Sequence, residues 1–155
     1  MLMNRKKPAT TALADRDFMK TVGVLADFRK GLRQFLSFSD SILGTLGLTS
    51  QQYQALLILL LTRTDGMMIR DLAGEMLLLP HGAVQLANRL EEAGLAERRD
   101  DPDDARVSRV YPTAKAVQTM KILVSAHSRE LRQQEKLLSQ SLKSLRRLID
   151  TELQS

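Results

Sequence analysis

Cysteine and tryptophan are both absent from this 155-residue chain. The lack of Cys excludes disulfides, thiol catalysis and Cys-based redox sensing, and it is compatible with a reducing compartment. Only two histidines occur, His81 and His127. They fall on different predicted elements, and two His without Cys do not make an ordinary zinc site. Aromatics are 4% of the chain. The longest apolar run, Ala55 to Leu61, is far too short to span a bilayer. There is no Gly-rich phosphate loop and no nucleophile elbow. The N-terminus is charged but has no apolar signal core. These absences argue against an enzyme, a resident cofactor, a metal or a membrane partner, and a cytoplasmic protein is expected.

What is present is ordinary for a globular domain: 43% hydrophobic and 26% charged residues. The length fits one domain with a real core. Net charge is +5, from 23 basic and 18 acidic residues, a modest bias toward a polyanionic partner.

The chain is organised around residues 69–116. Leu72, Ala73, Met76 and Leu77 fall on one face of a first short helix. Leu78 to Pro80 break it, because Pro80 disfavours helical geometry in the residue before it. Pro80 suits the first turn of a second helix, where its missing N–H is no loss. That helix buries Ala83, Leu86, Ala87 and Leu90 and stops at Gly94, which tolerates left-handed geometry. Helix, tight turn and helix make a helix-turn-helix unit.

The faces left over carry the chemistry. His81, Gly82, Val84, Gln85, Asn88 and Arg89 point outward, and no acid occurs from Pro80 to Leu90, so this face can approach phosphate. Gln and Asn pair with adenine, Arg with guanine, and a small apolar group such as Val84 suits a thymine methyl. The competing interpretation is a solvated helix face that happens to lack acids.

After Gly94 the period changes to two. Leu95 to Arg99 alternates, Asp100-Asp101-Pro102-Asp103-Asp104 supplies turn chemistry, and Val107 to Tyr111 alternates again as a return strand. Pro112 ends it, and Thr113 can cap the next helix. The four aspartates lack calcium-loop spacing. A hairpin after helix-turn-helix is a winged helix. From Leu95 to Tyr111, five acids oppose four arginines, the chief objection to a DNA-binding wing.

These residues resemble the MarR family of transcriptional regulators. The family's Asp-Arg-Leu-Glu, Gly-Leu-Val-x-Arg, Asp-x-Arg and Leu-Thr positions read Asn88-Arg89-Leu90-Glu91, Gly94-Leu95-Ala96-Glu97-Arg98, Asp104-Ala105-Arg106 and Pro112-Thr113. Gly47-Leu48-Thr49-Ser50-Gln51-Gln52 matches the family's entry to its second helix, and Asp71-Leu72-Ala73 its Glu-Leu-Ala. Departures are Val84-Gln85 for Thr/Ser-Arg, Asn88 for Asp, and Ala116 for Gly. The resemblance runs over essentially the whole chain after residue 14. It implies a mainly α fold with a small β-hairpin wing, flanked by N- and C-terminal dimerisation helices. It implies that Arg106, held out by Asp104, enters a DNA minor groove, whose narrow form attracts such an Arg.

The remaining segments fit that plan. Residues 1–13 are expected to form a basic, disordered tail carrying Arg5, Lys6 and Lys7, and 14–155 one regulator domain. Within it, about 49–112 is the DNA-binding lobe, and 14–46 and 113–155 are the dimerisation helices. Phe18, Val22, Leu25, Phe28, Leu32 and Phe35 stripe a long helix ended by Gly44 and Gly47. Thr49 and Gln52 make a capping box. The following helix is apolar on every side and is expected to be fully buried. Met67-Met68 is expected as a short third strand. Two further helices are expected after Thr113, the last with a Leu138, Leu142, Leu145, Ile149 seam.

The expected function is a dimeric, ligand-responsive repressor on double-stranded operator DNA. His81, Val84, Gln85 and Arg89 read bases or fix the backbone position, and Arg98 and Arg70 contact phosphate. In the resembled family small aromatic acids bind between the dimerisation helices and the lobes; Phe28, Arg29, Arg33, Phe38 and Tyr53 are the candidates here. The alternative is a winged-helix protein-interaction module that dimerises without reading DNA.

Overall fold

The computed structural model describes residues 15–153, with side chains over 17–150. The basic tail expected at 1–13 lies outside them. The elements are α1 (Asp15–Thr45), α2 (Ser50–Leu61), β1 (Met67–Met68), α3 (Ile69–Glu75), α4 (Pro80–Glu92), β2 (Ala96–Asp100), β3 (Ser108–Pro112) and α5 (Ala114–Leu153). Residues 35–133 form one compact unit; 15–34 together with 134–153 form another.

The larger unit holds the hydrophobic core. Leu43, Leu56, Leu59, Leu72, Leu86, Leu90, Val110, Met120 and Leu123 are fully buried. Ala83, Leu86, Ala87 and Leu90 form the inward face of α4, as their spacing predicts. Truncating such a leucine to Ala typically costs about 2–5 kcal/mol. The α2 capping box is present: Thr49 N donates to Gln52 Oε1 at 2.9 Å, and Gln52 N to Thr49 Oγ1 at 3.2 Å.

Three expectations are corrected here. The first concerns α2, which is buried on one side only. Ala55, Leu56 and Leu59 face the core, whereas Leu57 and Leu61 are exposed, Leu61 by 87%. Uniform hydrophobicity conceals which face packs, because the partners of a helix lie elsewhere in the sequence.

The second concerns Leu77, which does not share the buried face of α3. The helix ends at Glu75, and Leu77 takes a left-handed backbone with φ of 53°. Its N–H bonds Gly74 O at 3.2 Å and the Leu78 N–H bonds Ala73 O at 2.9 Å. This is the paired pattern that closes helix C-termini, normally with glycine at the left-handed position. It turns Leu77 outward, 93% exposed. Gly94 closes α4 the same way at φ 70°, with Leu95 N to Leu90 O at 2.8 Å.

The third concerns the C-terminal region. Residues 114–153 form one continuous helix, not two. No Gly or Pro occurs from Ala114 to Leu153, so nothing interrupts the backbone ladder where the apolar stripe shifts. At the other end of the chain, α1 likewise runs through Gly44 to Thr45.

The expected third strand is present. The sheet order is β1-β3-β2, all antiparallel, with Met67 opposite Val110 and Arg98 also opposite Val110. Gly66, at φ 66°, brings the chain against Tyr111: a Cβ there would lie 2.5 Å from the ring.

His127 is a core residue. Its Nδ1 donates to Leu123 O at 2.7 Å, which leaves Nε2 to accept from the Ser39 hydroxyl at 2.8 Å. Tyr53 stacks on the imidazole, centroids 4.4 Å apart, and Phe35 and Phe38 meet it edge-on at 5.9 Å. Burial pushes the Tyr53 phenol pKa up.

In the smaller unit, Gly31 lets the two helix segments meet closely: a Cβ would lie 3.0 Å from Leu138 Cδ2. Phe18, Met19, Val22, Leu25, Leu142 and Ile149 remain exposed on this unit in the single chain.

Candidate nucleic-acid interface

The site is built by three elements of the larger unit: α3, α4 and the hairpin of β2 and β3. Leu79 is extended (φ −68°, ψ 154°) as the residue before Pro80 must be, and α4 starts at Pro80 itself. With Ala83, Leu86, Ala87 and Leu90 turned inward, His81, Val84, Gln85, Asn88 and Arg89 stand exposed. Gly82 is half-buried, and a Cβ there would lie 3.7 Å from Leu78 Cβ.

A cleft of about 330 Å³ opens between the start of α3, α4 and the wing. Arg70, Val84 and Arg106 line it, with Met68, Ile69, Val107 and Ser108. The fold thus gathers three sequence-predicted site residues from three elements. Arg70 forms an exposed pair with Asp71, at 3.6 Å, and such surface pairs contribute little.

Three other predicted polar residues, Asn88, Arg89 and Arg98, are held by neighbours. Arg98 turns toward α4: Nη1 lies 3.2 Å from Glu91 Oε2, and Nη2 donates to Asn88 Oδ1 at 2.6 Å and to Val84 O at 3.3 Å. The Arg98 N–H also donates to Glu91 Oε1 at 3.0 Å. Arg98 Nε is buried without a hydrogen-bond partner. Arg98 therefore joins the wing to α4; a phosphate contact from it requires this set to open. Arg89 Nη2 donates to Gln51 Oε1 at 3.0 Å. Glu91 and Gln51 are site residues that the sequence reading did not single out. Glu91 sits one turn beyond Asn88, a spacing that can be read; Gln51, on another helix, gives no local signal.

The acidic wing is largely self-neutralised. Asp101 is buried, takes N–H groups from Asp103 at 2.9 Å and Asp104 at 3.1 Å, and pairs with Arg109. Arg109 and these amides hold its carboxyl below the usual range. Asp104 receives Arg106 Nε at 3.0 Å and Nη2 at 3.1 Å, and this too lowers its carboxyl pKa. Glu97 pairs with Arg99, whose guanidinium carbon lies 4.6 Å from the Tyr111 ring centroid. Behind the hairpin, Thr113 Oγ1 and Lys115 Nζ donate to carbonyls just after α4, Gly94 O and Ala93 O, both at 2.7 Å.

The expected effector residues are divided between the two units. Phe28, Arg29 and Arg33 belong to the smaller unit and Phe38 and Tyr53 to the larger. Phe38 and Tyr53 pack on His127. Phe38 also lines a hollow of about 260 Å³ with Ile42, Ala126, Arg129, Glu130 and Gln133. Among the described residues, no three metal-capable side chains converge, and no helix is long and apolar enough to cross a membrane.

Helix-turn-helix, three-stranded sheet and an arginine-tipped hairpin define a winged-helix protein. Residues 46–107, which span the helix-turn-helix, β1, β2 and the wing tip, match the sequence model of the MarR family. Solved structures share the fold. MepR from S. aureus, in a DNA complex, is 23% identical with a TM-score of 0.64, over 78% of this chain and 97% of that one. AbsC, a MarR family transcriptional regulator from Streptomyces coelicolor, is 21% identical with a TM-score of 0.63, over 94% and 100%. YusO from Bacillus subtilis is 16% identical with a TM-score of 0.63, over 91% and 97%. No curated protein sequence matches.

Proposed function

We propose that this protein is a sequence-reading, DNA-binding transcriptional regulator that works as a homodimer and represses by occupying its operator. The observation that carries the reading is the cleft shared by Arg70, Val84 and Arg106 beside the acid-free face of α4. It presents base-reading groups from a helix and cations from both flanks, the division of labour that DNA recognition uses. Two α4 helices would occupy successive major grooves about 34–36 Å apart, with Arg106 in the flanking minor groove. The S. aureus relative bound to DNA supports the same use of the fold.

The dimer reading rests on the smaller unit. Met19 is 68% exposed, Leu142 53% and Ile149 54%, and a second chain would cover such large apolar side chains. The alternative of a protein-binding module drew its support from the acidic wing, and the pairing of Glu97, Asp101 and Asp104 with arginines weakens that support. Ligand response is part of the proposal: an aromatic acid would meet Phe38 and Arg129 in the hollow they line. It shifts DNA binding only if it binds two states of the protein unequally.

The test is light scattering coupled to gel filtration, then titration of the duplex upstream of the protein's own gene. A dimer that binds that duplex in preference to a scrambled one supports the reading. A monomer, or a dimer with no preference among many duplexes including a randomised pool, contradicts it.

A further inference from the structure

Arg98 fixes which way the Asn88 amide faces. An amide presents an acceptor oxygen at one end and a donor nitrogen at the other, and a guanidinium only donates. With Arg98 Nη2 at 2.6 Å, the atom facing it must be the oxygen. The same Nη2 reaches Val84 O at 3.3 Å, so the oxygen is drawn back against the helix on the β2 side. Glu91 holds the guanidinium from behind, at 3.2 Å. The Asn88 nitrogen is thereby turned away from Arg98, on the exposed face that also carries Val84 and Gln85.

This changes what Asn88 can read. An unconstrained Asn recognises adenine with oxygen and nitrogen together, accepting from N6 and donating to N7. Here one of that oxygen's two lone pairs is taken by Arg98, whose grip, and not a base, sets the direction of the amide. The nitrogen's two N–H groups remain, and guanine is the base that shows two adjacent acceptors, N7 and O6, in the major groove. We infer that Asn88 acts as a donor that selects guanine rather than adenine, and that Arg98, steadied by Glu91, is the positioning residue that sets this choice. The inference rests on the DNA-reading function proposed above.

The experiment is selection from a randomised duplex pool by the full chain, by Asn88→Ala and by Arg98→Met. The wild-type consensus is expected to hold a guanine in each half-site that Asn88→Ala no longer requires. Replacing that guanine by 7-deazaguanine, which lacks the N7 acceptor, should weaken the wild type roughly tenfold and leave Asn88→Ala unchanged. Arg98→Met frees the amide to turn and should admit adenine at that position, a change that simple loss of stability does not produce. If Arg98→Met does not fold by circular dichroism, Asn88→Ala and the modified base decide alone. An Asn88-dependent adenine in the wild-type consensus, or a consensus indifferent to Asn88→Ala, overturns the inference and leaves the regulator reading standing. A wild type that enriches no sequence overturns both.

Discussion

Asp104 grips Arg106 with both carboxylate oxygens, 3.0 Å to Nε and 3.1 Å to Nη2, while the Arg106 side chain is 90% exposed. A two-point grip sets the direction of a guanidinium, which a single contact does not. Asp104 thus acts on aim more than on charge. Asp104→Ala removes an acid, so random-duplex binding should hold or rise, while the preference for the operator falls several-fold as Arg106 loses its direction. Competition binding with both duplexes measures this. A rise in operator preference would show that the carboxylate merely opposes DNA.

The wing should be sensitive to acid and indifferent to base. Asp101 and Asp104 are held below their ordinary pKa by Arg109 and Arg106 and by backbone amides. A carboxyl depressed in the folded state contributes stability that is fully present above its unfolded value. That contribution is lost as pH falls through the folded value. Amide exchange over residues 101–107 should therefore stay constant from about pH 5 upward and, after correction for intrinsic rates, accelerate below about pH 4. Asp101→Asn should show the loosened wing already at neutral pH. Constant protection through the acid range would contradict the role given to these pairs.

Gly66→Ala should destabilise the lobe by about 2 kcal/mol or more, since it combines a left-handed backbone with a collision on the Tyr111 ring. The hydrogen bond from Tyr111 Oη to Asp65 O, 3.0 Å, keeps that ring in place. Thermal or urea unfolding reads the change; a neutral result would mean the turn relaxes freely.

Leu77→Gly should stabilise by about 1 kcal/mol, an unusual sign for a leucine substitution. Leu77 packs on almost nothing, and its φ of 53° suits glycine. If unfolding shows a loss instead, the exposed leucine has a contact in solution, such as a second chain.

The lobe was largely legible because its signals are local. Pro80 and Gly94 punctuate α4, and the period-two run after Gly94 marks the hairpin. What escaped depends on distant partners. The facing of α2 is invisible in a segment where nearly every residue is apolar. Leu77 looks like core by spacing, yet it serves as a helix end because Pro80 leaves no room for another turn. The roles of Arg98 and Arg89 turn on Glu91, Asn88 and Gln51, which side-chain packing alone assembles.

In the proposed function, α4 and the wing grip DNA through bases and phosphates together. This is tested most directly by fluorescence anisotropy of the selected operator and a random duplex across a salt series, for wild type and Arg106→Ala. Tight, selective binding is expected, with the logarithm of the affinity falling steeply and linearly with the logarithm of salt. Arg106→Ala should weaken operator binding and flatten that slope by about one. Binding that ignores salt, or that never distinguishes the operator from random duplex, would contradict it.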